Sequence, residues 1–191
     1  MGRSIVLSIL TAFTLIFGVE RASAQTHPVV VELFTSQGCH SCPPADELLG
    51  RLADREDVIA LSLHVDYWDY LGWRDVFGAK AHTARQRDYA YAQDERTIYT
   101  PQIVVHGREG MVGSREYDVA QAIERWSDHV PAATVSLVLM EDRLVADIAP
   151  NGDTPRRARV RMAWYSRAEN VDIRAGENNG RTITYHNVVK G

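Results

Sequence analysis

The chain has 191 residues, of which 45% are hydrophobic and 24% are charged, and its formal net charge at pH 7 is −4. This length is enough for one good core, or for one domain with a small appendage. The slightly acidic balance contains nothing like the basic surface that meets nucleic-acid phosphates. We therefore expect a globular protein that does not bind nucleic acid.

The first residues have the order of an export signal. Met1–Arg3 is a short basic start, Ile5–Val19 is almost entirely apolar, and Ala22–Ala24 ends the segment with small residues. The apolar run is shorter than the roughly 20 residues that span a bilayer, and the whole order is typical of a secretory signal peptide. We expect residues 1–24 to be cleaved after Ala24 and the protein to be periplasmic or secreted, with no membrane span in the mature chain. An uncleaved N-terminal anchor is the alternative.

The chain contains two cysteines, Cys39 and Cys42, separated by two residues. Export places them in an oxidising compartment, so a disulfide within one molecule can only join this pair. A ring this short constrains the unfolded chain by roughly 2 kcal/mol, against roughly 3 kcal/mol for a 15-residue loop. Stabilisation is therefore a poor explanation for the pair, and redox chemistry is a better one.

The cysteines lie between a predicted strand and a predicted helix. Val29–Thr35 is an apolar, β-branched run that suits a buried parallel strand. After a break at Ser36–Gly38, Pro43–Ala53 has the pattern of a helix, whose first turn tolerates prolines. Val58–Val65 is the next strand. This strand–helix–strand order predicts a parallel pair of strands.

The following segments complete an α/β unit. In chain order they are an aromatic loop or short irregular helix at Asp66–Trp73, a helix at Ala79–Gln93, strands at Gln102–His106 and Met111–Gly113, and a helix capped by Ser114 that runs to Trp126. The order β-α-β-α-β-β-α is that of the thioredoxin fold. We therefore predict an α/β, thioredoxin-like domain over residues 25–130.

After Pro131 the pattern changes to alternating apolar and polar residues, which is typical of antiparallel strands with one buried face. The alternating segments are Thr134–Met140, Leu144–Ile148, Arg159–Tyr165 and Arg181–Val189. We predict a small antiparallel β-module over residues 131–191 that packs against the first domain. Its last strand stops almost at the chain end, which is compatible with truncation of a longer protein.

A cysteine pair at the start of a helix has a chemical consequence. The unpaired N–H groups and the macrodipole of a helix N-terminus favour a thiolate there. A second cysteine one turn away can resolve a mixed disulfide. We assign Cys39 as the exposed nucleophile and Cys42 as the resolving thiol. His40 either lowers the pKa of Cys39 further when it is charged or is a solvated bystander.

The predicted fold adds further site residues. In thioredoxin-like folds a cis-proline begins the third strand and lies against the CxxC, so we predict a cis Thr100–Pro101 bond that exposes the backbone of Thr100 to an extended substrate. Thioredoxins also keep a buried carboxylate as the proton acceptor of the resolving cysteine. Glu32 stands in a comparable place, unless it faces solvent. The aromatic side chains of Trp68, Tyr70 and Trp73 either line a substrate groove or pack against the β-module.

Three strings resemble an uncharacterised family of secreted bacterial proteins with a thioredoxin-like fold. They are Glu32–Asp46, which contains the CxxC, His64–Asp69 and Tyr99–Gln102. The resemblance covers most of the mature chain and implies the fold, whereas the family's name declares its function unknown. Unlike thioredoxins, this chain has no Trp before the first cysteine and no Pro between the two cysteines.

Together these observations predict a thiol–disulfide oxidoreductase that needs no cofactor and acts on protein thiols or disulfides of the cell envelope. Its predicted catalytic residues are Cys39, Cys42, Thr100, Pro101 and Glu32.

The alternative is a non-catalytic envelope binding module. Its ligand would be a protein partner, or a copper or zinc ion held by the two thiolates with His40 or His64. A four-ligand structural metal site is poorly supported, because the chain has no second CxxC and no HxxxH.

Overall fold

A computed structural model describes residues 27–152 and 159–191; the predicted signal peptide, residues 1–24, lies outside them. Its elements are β1 (Val29–Thr35), α1 (Pro43–Ala53), β2 (Val58–His64), a 3₁₀ turn (Asp69–Leu71), α2 (Lys80–Ala92), β3 (Gln102–Val105), β4 (Glu109–Val112), α3 (Glu116–Ser127), β5 (Ala133–Met140), β6 (Arg143–Pro150), β7 (Tyr165–Asp172) and β8 (Thr182–Val189). In these described ranges no helix is long and apolar enough to cross a membrane.

Six strands form one mixed sheet in the order β4-β3-β1-β2-β8-β7. β1 runs parallel to β2, with Val29 opposite Val58 and Thr35 opposite His64, which confirms the predicted parallel pair. β3 and β4 add to the other side of β1 as antiparallel strands. The mixed α/β class predicted from the sequence is therefore correct.

The strand residues of β1 divide between two cores because successive side chains point to opposite faces of a sheet. Val31 and Leu33 belong to the larger core, which also contains buried residues of α1 and α3 such as Leu49 and Ile123. Phe34 belongs to a second core on the other face, against which Tyr89 of α2 packs. The sheet thus carries α1 and α3 on one face and α2 on the other.

The predicted four-stranded β-module over residues 131–191 requires correction. β8 pairs in parallel with β2, where Ser62 lies opposite Val188, and β7 pairs antiparallel with β8. The last two strands therefore extend the main sheet. The strand predicted at Arg159–Tyr165 is also displaced, since β7 begins at Tyr165. Alternation identifies strands but does not say which edge they will join.

Among the described residues, only β5 and β6 form a separate sheet, a two-stranded hairpin in register from Ala133 opposite Pro150 to Met140 opposite Arg143. The face expected to be buried is exposed: Leu137 and Leu139 are 62% and 74% exposed. A two-stranded ribbon cannot bury either face by itself.

The predicted Ser114 cap of the third helix is absent, because α3 begins at Glu116 with Arg115 as its N-cap.

The fold predicts very different costs for the same truncation in the core and in the hairpin. Leu49→Ala removes a buried side chain of α1, 1% exposed, and should lower the free energy of unfolding by about 2–5 kcal/mol. Leu139→Ala should change it by less than about 0.5 kcal/mol. Urea denaturation followed by circular dichroism measures both. Equal losses would contradict the placement of the core between α1 and the sheet.

Candidate functional site: the disulfide and its surroundings

Cys39 and Cys42 form a disulfide, with their Cα atoms 5.4 Å apart. The pair occupies a tight turn in which the Cys39 N–H donates to the Ser36 carbonyl (3.1 Å) and the Cys42 N–H donates to the Cys39 carbonyl (3.2 Å). Cys42 is the N-cap of α1. The strand-to-helix placement predicted for the pair is therefore correct.

The N-terminus of α1 offers a thiolate fewer donors than an ordinary helix does. Pro43 and Pro44 occupy its first two positions, and a proline has no N–H group. Two of the four N–H groups that are normally free at a helix start are thus missing. The Ser41 hydroxyl lies 3.5 Å from the Cys39 sulfur and is a further polar neighbour of that atom.

The structure corrects the expectation that Cys39 is exposed. Cys39 is 3% exposed and Cys42 is fully buried, whereas His40 and Ser41 between them are exposed. The Asn178 side chain, from the loop between β7 and β8, donates to the Cys39 carbonyl at 2.9 Å. The turn is therefore covered by a segment that lies far from it in sequence.

The Thr100–Pro101 bond is cis, as predicted. The Ser41 hydroxyl donates to the Thr100 carbonyl at 3.5 Å, which brings this bond alongside the cysteine turn. The Trp68 indole N–H donates to the Thr100 hydroxyl at 2.7 Å. Thr100 and Pro101 thus lie next to the disulfide, and Trp68 holds them there.

A glycine permits the close approach of Pro101 to the helix. A Cβ atom added at Gly113 would lie 3.2 Å from the Cβ of Ala45 in α1 and 3.3 Å from the Cβ of Pro101. The Gly113 N–H donates to the Pro101 carbonyl at 2.9 Å. Any larger residue at this position would push the cis-proline away from the start of α1.

Glu32 is buried, but the structure does not bring it together with the cysteines. Its carboxylate accepts two hydrogen bonds from the Arg85 guanidinium, at 2.8 and 3.0 Å, and one from the Tyr89 hydroxyl. Arg85 and Tyr89 belong to α2, on the face of the sheet opposite α1. Strand alternation explains this, because Glu32 lies between Val31 and Leu33, which both face α1. The expected contact with the resolving cysteine is therefore wrong.

A different carboxyl is buried beneath the cysteine turn. Asp46 lies one helical turn after Cys42, and its backbone N–H donates to the Cys42 carbonyl at 3.1 Å. Neither of its carboxyl oxygens has a hydrogen-bond partner among the described residues. Burial raises the pKa of Asp46 well above its ordinary value, the nearby Thr35 hydroxyl opposes that rise, and the charge of Asp75 adds to it.

Asp75 belongs to a buried pair with His64 at the end of β2. Its Oδ2 atom accepts from the His64 ring at 2.7 Å and from the Gln37 N–H at 2.8 Å. Burial alone would raise the pKa of Asp75, but His64 and these hydrogen bonds outweigh it and lower the pKa. His64 is thus hydrogen-bonded to the carboxylate of Asp75.

In residues 27–152 and 159–191 no group of three or more His, Cys, Asp or Glu side chains converges as a metal site.

Buried polar atoms cluster around Asp46. The Thr35 hydroxyl, the His64 Nε2 atom and the Tyr185 hydroxyl are all buried and unpaired within the described ranges. The rings of His64 and Tyr185 lie 4.7 Å apart, and burial followed by the charges of Asp46 and Asp75 raises the pKa of Tyr185. Buried polar groups in folded proteins are normally satisfied by ordered water, so we expect water here.

Two residues of the site escaped the sequence analysis. Asp46 had a usable signal, because it shares a helical stripe with Cys42, Ala45 and Leu49 and must point toward the sheet. Asn178 had none, since a single asparagine in a polar loop predicts only a turn. Trp73 proves to be a packing residue, whose indole N–H donates to the Gln37 side chain at 2.8 Å.

The fold and site describe an α/β protein with a disulfide at the start of a helix, beside a cis-proline. Residues 30–191 match the family described as "Protein of unknown function (DUF1223)", and the chain belongs to that family. The structure is similar to the crystal structure of a protein from Agrobacterium tumefaciens, with a TM-score of 0.73, 36% identity, and coverage of 84% of this chain and 69% of that one. No curated protein gives a match. The predicted membership of an uncharacterised family is confirmed.

The burial of Asp46 predicts a pH dependence of stability. Above the ordinary aspartate pKa of 3.8 the unfolded chain ionises this group, whereas the folded protein keeps its proton. The folded state then binds more protons, so this residue lowers the stability as the pH rises toward the folded pKa. Asp46→Asn should remove that loss, so the variant should gain stability relative to the wild type between pH 4 and pH 8.

Urea denaturation of the oxidised proteins at both pH values measures this gain. Asp54→Asn, an exposed change at the other end of α1, is the control and should show no such trend. A difference between Asp46→Asn and the wild type that stays constant from pH 4 to pH 8 would contradict a protonated Asp46.

Proposed function

We propose that this protein is an exported, thioredoxin-like thiol–disulfide oxidoreductase that exchanges electrons with protein thiols or disulfides of the cell envelope. The observation that carries the proposal is the Cys39–Cys42 disulfide at the start of α1, alongside the cis Thr100–Pro101 bond. A stabilising disulfide has no need of this neighbour. An exchange reaction does, because a substrate must lie in extended form beside the sulfur that it attacks.

The strand arrangement supports the thioredoxin-like assignment. β4, β3, β1 and β2 lie side by side, with the β1–α1–β2 unit parallel and β3 and β4 antiparallel to their neighbours. Helices lie on both faces of these strands. This is the order expected if the β-α-β-α-β-β-α pattern folds as a thioredoxin domain, with β8 and β7 as an extension beyond β2.

The proposed exchange has two steps. A substrate thiolate attacks the Cys39 sulfur, so that a mixed disulfide forms, the Cys39–Cys42 bond breaks and Cys42 leaves as a thiolate. A second substrate thiolate attacks the substrate sulfur of the mixed disulfide, and Cys39 leaves. Two substrate thiols become one disulfide, and their two protons end on the two cysteines. The reverse sequence reduces a substrate disulfide, and the redox partner sets the direction.

Within this scheme we assign to Asp46 the proton transfer that the sequence suggested for Glu32. Glu32 is paired with Arg85 of α2, on the face of the sheet opposite the cysteines. Asp46 has no cation beside it in the described residues and a raised pKa, and it follows Cys42 by one helical turn. A protonated Asp46 can supply the proton that the departing Cys42 thiolate takes up.

One observation favours the alternative, a binding module without redox turnover. Cys39 is 3% exposed, and an attacking thiolate must reach that sulfur directly. If the covering groups never move, the disulfide is structural and the exposed aromatic and hairpin surfaces mediate contact with a partner protein.

The proposal predicts catalysis that depends on both cysteines in different ways. The wild type should accelerate reduction of insulin by dithiothreitol, or disulfide formation in a reduced substrate protein in glutathione buffer. Cys39→Ser should lose this activity completely. Cys42→Ser should instead accumulate a mixed disulfide between Cys39 and the substrate, because the resolving thiol is missing. Turbidity and non-reducing electrophoresis measure the two effects.

The double variant Cys39→Ser with Cys42→Ser sets the background rate. Ser127→Ala, an exposed substitution at the end of α3, is a control for a small side-chain change away from the cysteines and should leave the rate unchanged. A wild-type rate equal to the background in both directions, with no trapped intermediate, would eliminate the oxidoreductase and leave the binding module.

A further inference from the structure

The loop that joins β7 to β8, Ile173–Arg181, lies across the cysteine turn, and we call it the strap. It is closed on itself by backbone hydrogen bonds, from the Ile173 N–H to the Arg181 carbonyl (2.9 Å) and from the Gly180 N–H to the Ile173 carbonyl (2.8 Å). Ile173 is buried at its base. The strap is therefore a preformed unit that docks on the turn.

Asn178 is the main attachment of the strap to the turn. This side chain is 1% exposed, and its amide nitrogen donates to the carbonyls of both Gln37 and Cys39 at 2.9 Å. Its oxygen accepts from the Arg181 guanidinium at 3.1 Å. The amide nitrogen thus binds two carbonyls of the turn, those of Gln37 and Cys39, and the bond from Arg181 orients the amide.

The strap is held at two further points. The Glu177 carboxylate accepts from the His40 N–H at 3.2 Å. Gly176 has a φ of +73°, and a Cβ added there would lie 3.1 Å from the Cβ of Trp73. Trp73 in turn donates to the Gln37 side chain. The strap therefore bonds the turn at the Gln37 and Cys39 carbonyls and at the His40 N–H, whereas the exposed Ser41 contacts Thr100 instead.

We propose that the strap determines which thiols react with the disulfide. While it is docked, the small exposed fraction of Cys39, 3%, is approached past Ser41 and Thr100, by a thiol on a small molecule or on an extended peptide. A thiol on the surface of a folded protein requires the strap to lift. The proposal rests on the proposed function, and it names extended thiol polypeptides as the substrate class.

The physical basis is an equilibrium between docked and lifted strap. Local openings of this kind are governed by the few contacts that hold the segment. For a bulky thiol, which reacts only in the lifted state, the rate is proportional to the lifted fraction. A small thiol reacts in the docked state, so its rate is nearly independent of that fraction. The ratio of the two rates therefore reports on the strap.

The test measures reduction of the protein's own disulfide by two probes, dithiothreitol and a folded protein thiol, reduced thioredoxin. Asn178→Ala removes both hydrogen bonds from this side chain to the turn and should raise the rate with the folded probe on the order of tenfold. The rate with dithiothreitol should change by less than about threefold, because in the proposal this small probe reacts without lifting of the strap. Asn170→Ala, an exposed change on β7 outside the strap, should leave both rates unchanged.

A second variant guards against misfolding of Asn178→Ala. Glu177→Ala alters an exposed side chain and removes one attachment, so it should raise only the rate with the folded probe, by roughly threefold. Equal acceleration with both probes, or none with either in both variants, would overturn the proposal. These measurements need no turnover, so a protein that fails the insulin and glutathione assays can still pass or fail this test.

Discussion

The site depends on the packing of α1 against the sheet. Leu48, Leu49 and Leu52 bury the helix on the face presented by Val31 and Leu33 of β1. Because Cys42 caps this helix, the same packing fixes the cysteine turn at the end of β1. It also brings Ala45 close to the cis-proline, and an added Cβ at Gly113 would be in tight contact with both residues. A shift of α1 would therefore move the disulfide, Pro101 and Asp46 together.

Glu32 and Asp46 are both buried, and the cost of removing each carboxyl group from water is offset in a different way. Glu32 has a cation: the Arg85 guanidinium binds it in a bidentate geometry, which offsets the desolvation of both charges. Asp46 has no cation in the described part of the chain, so desolvation favours its neutral form. The first group is fixed as an ion pair between β1 and α2. The second is free to exchange a proton, and it is the one on the face of the cysteines.

Burial of Cys39 connects the catalytic proposal with the strap. A disulfide shielded by a segment held through three hydrogen bonds to the cysteine turn is protected from indiscriminate exchange. It stays reactive only toward partners that fit the open side or lift the segment. The low exposure that favours a binding module when the strap is rigid becomes a source of selectivity when it opens.

The cis Thr100–Pro101 bond was predicted from the expected fold, because most X-Pro bonds are trans. The sequence alone determined the local features, which are the bounds of β1 and α1 and the cysteine turn between them. These depend on runs of neighbouring residues, such as the β-branched segment Val29–Thr35, whose patterns reflect local backbone preferences. Only the tertiary structure decided that β8 joins β2, that Glu32 pairs with Arg85 of α2, and that Asn178 covers Cys39. Contacts across 139 residues of chain, like that of Asn178 with Cys39, leave no periodic trace, because they arise from packing between elements.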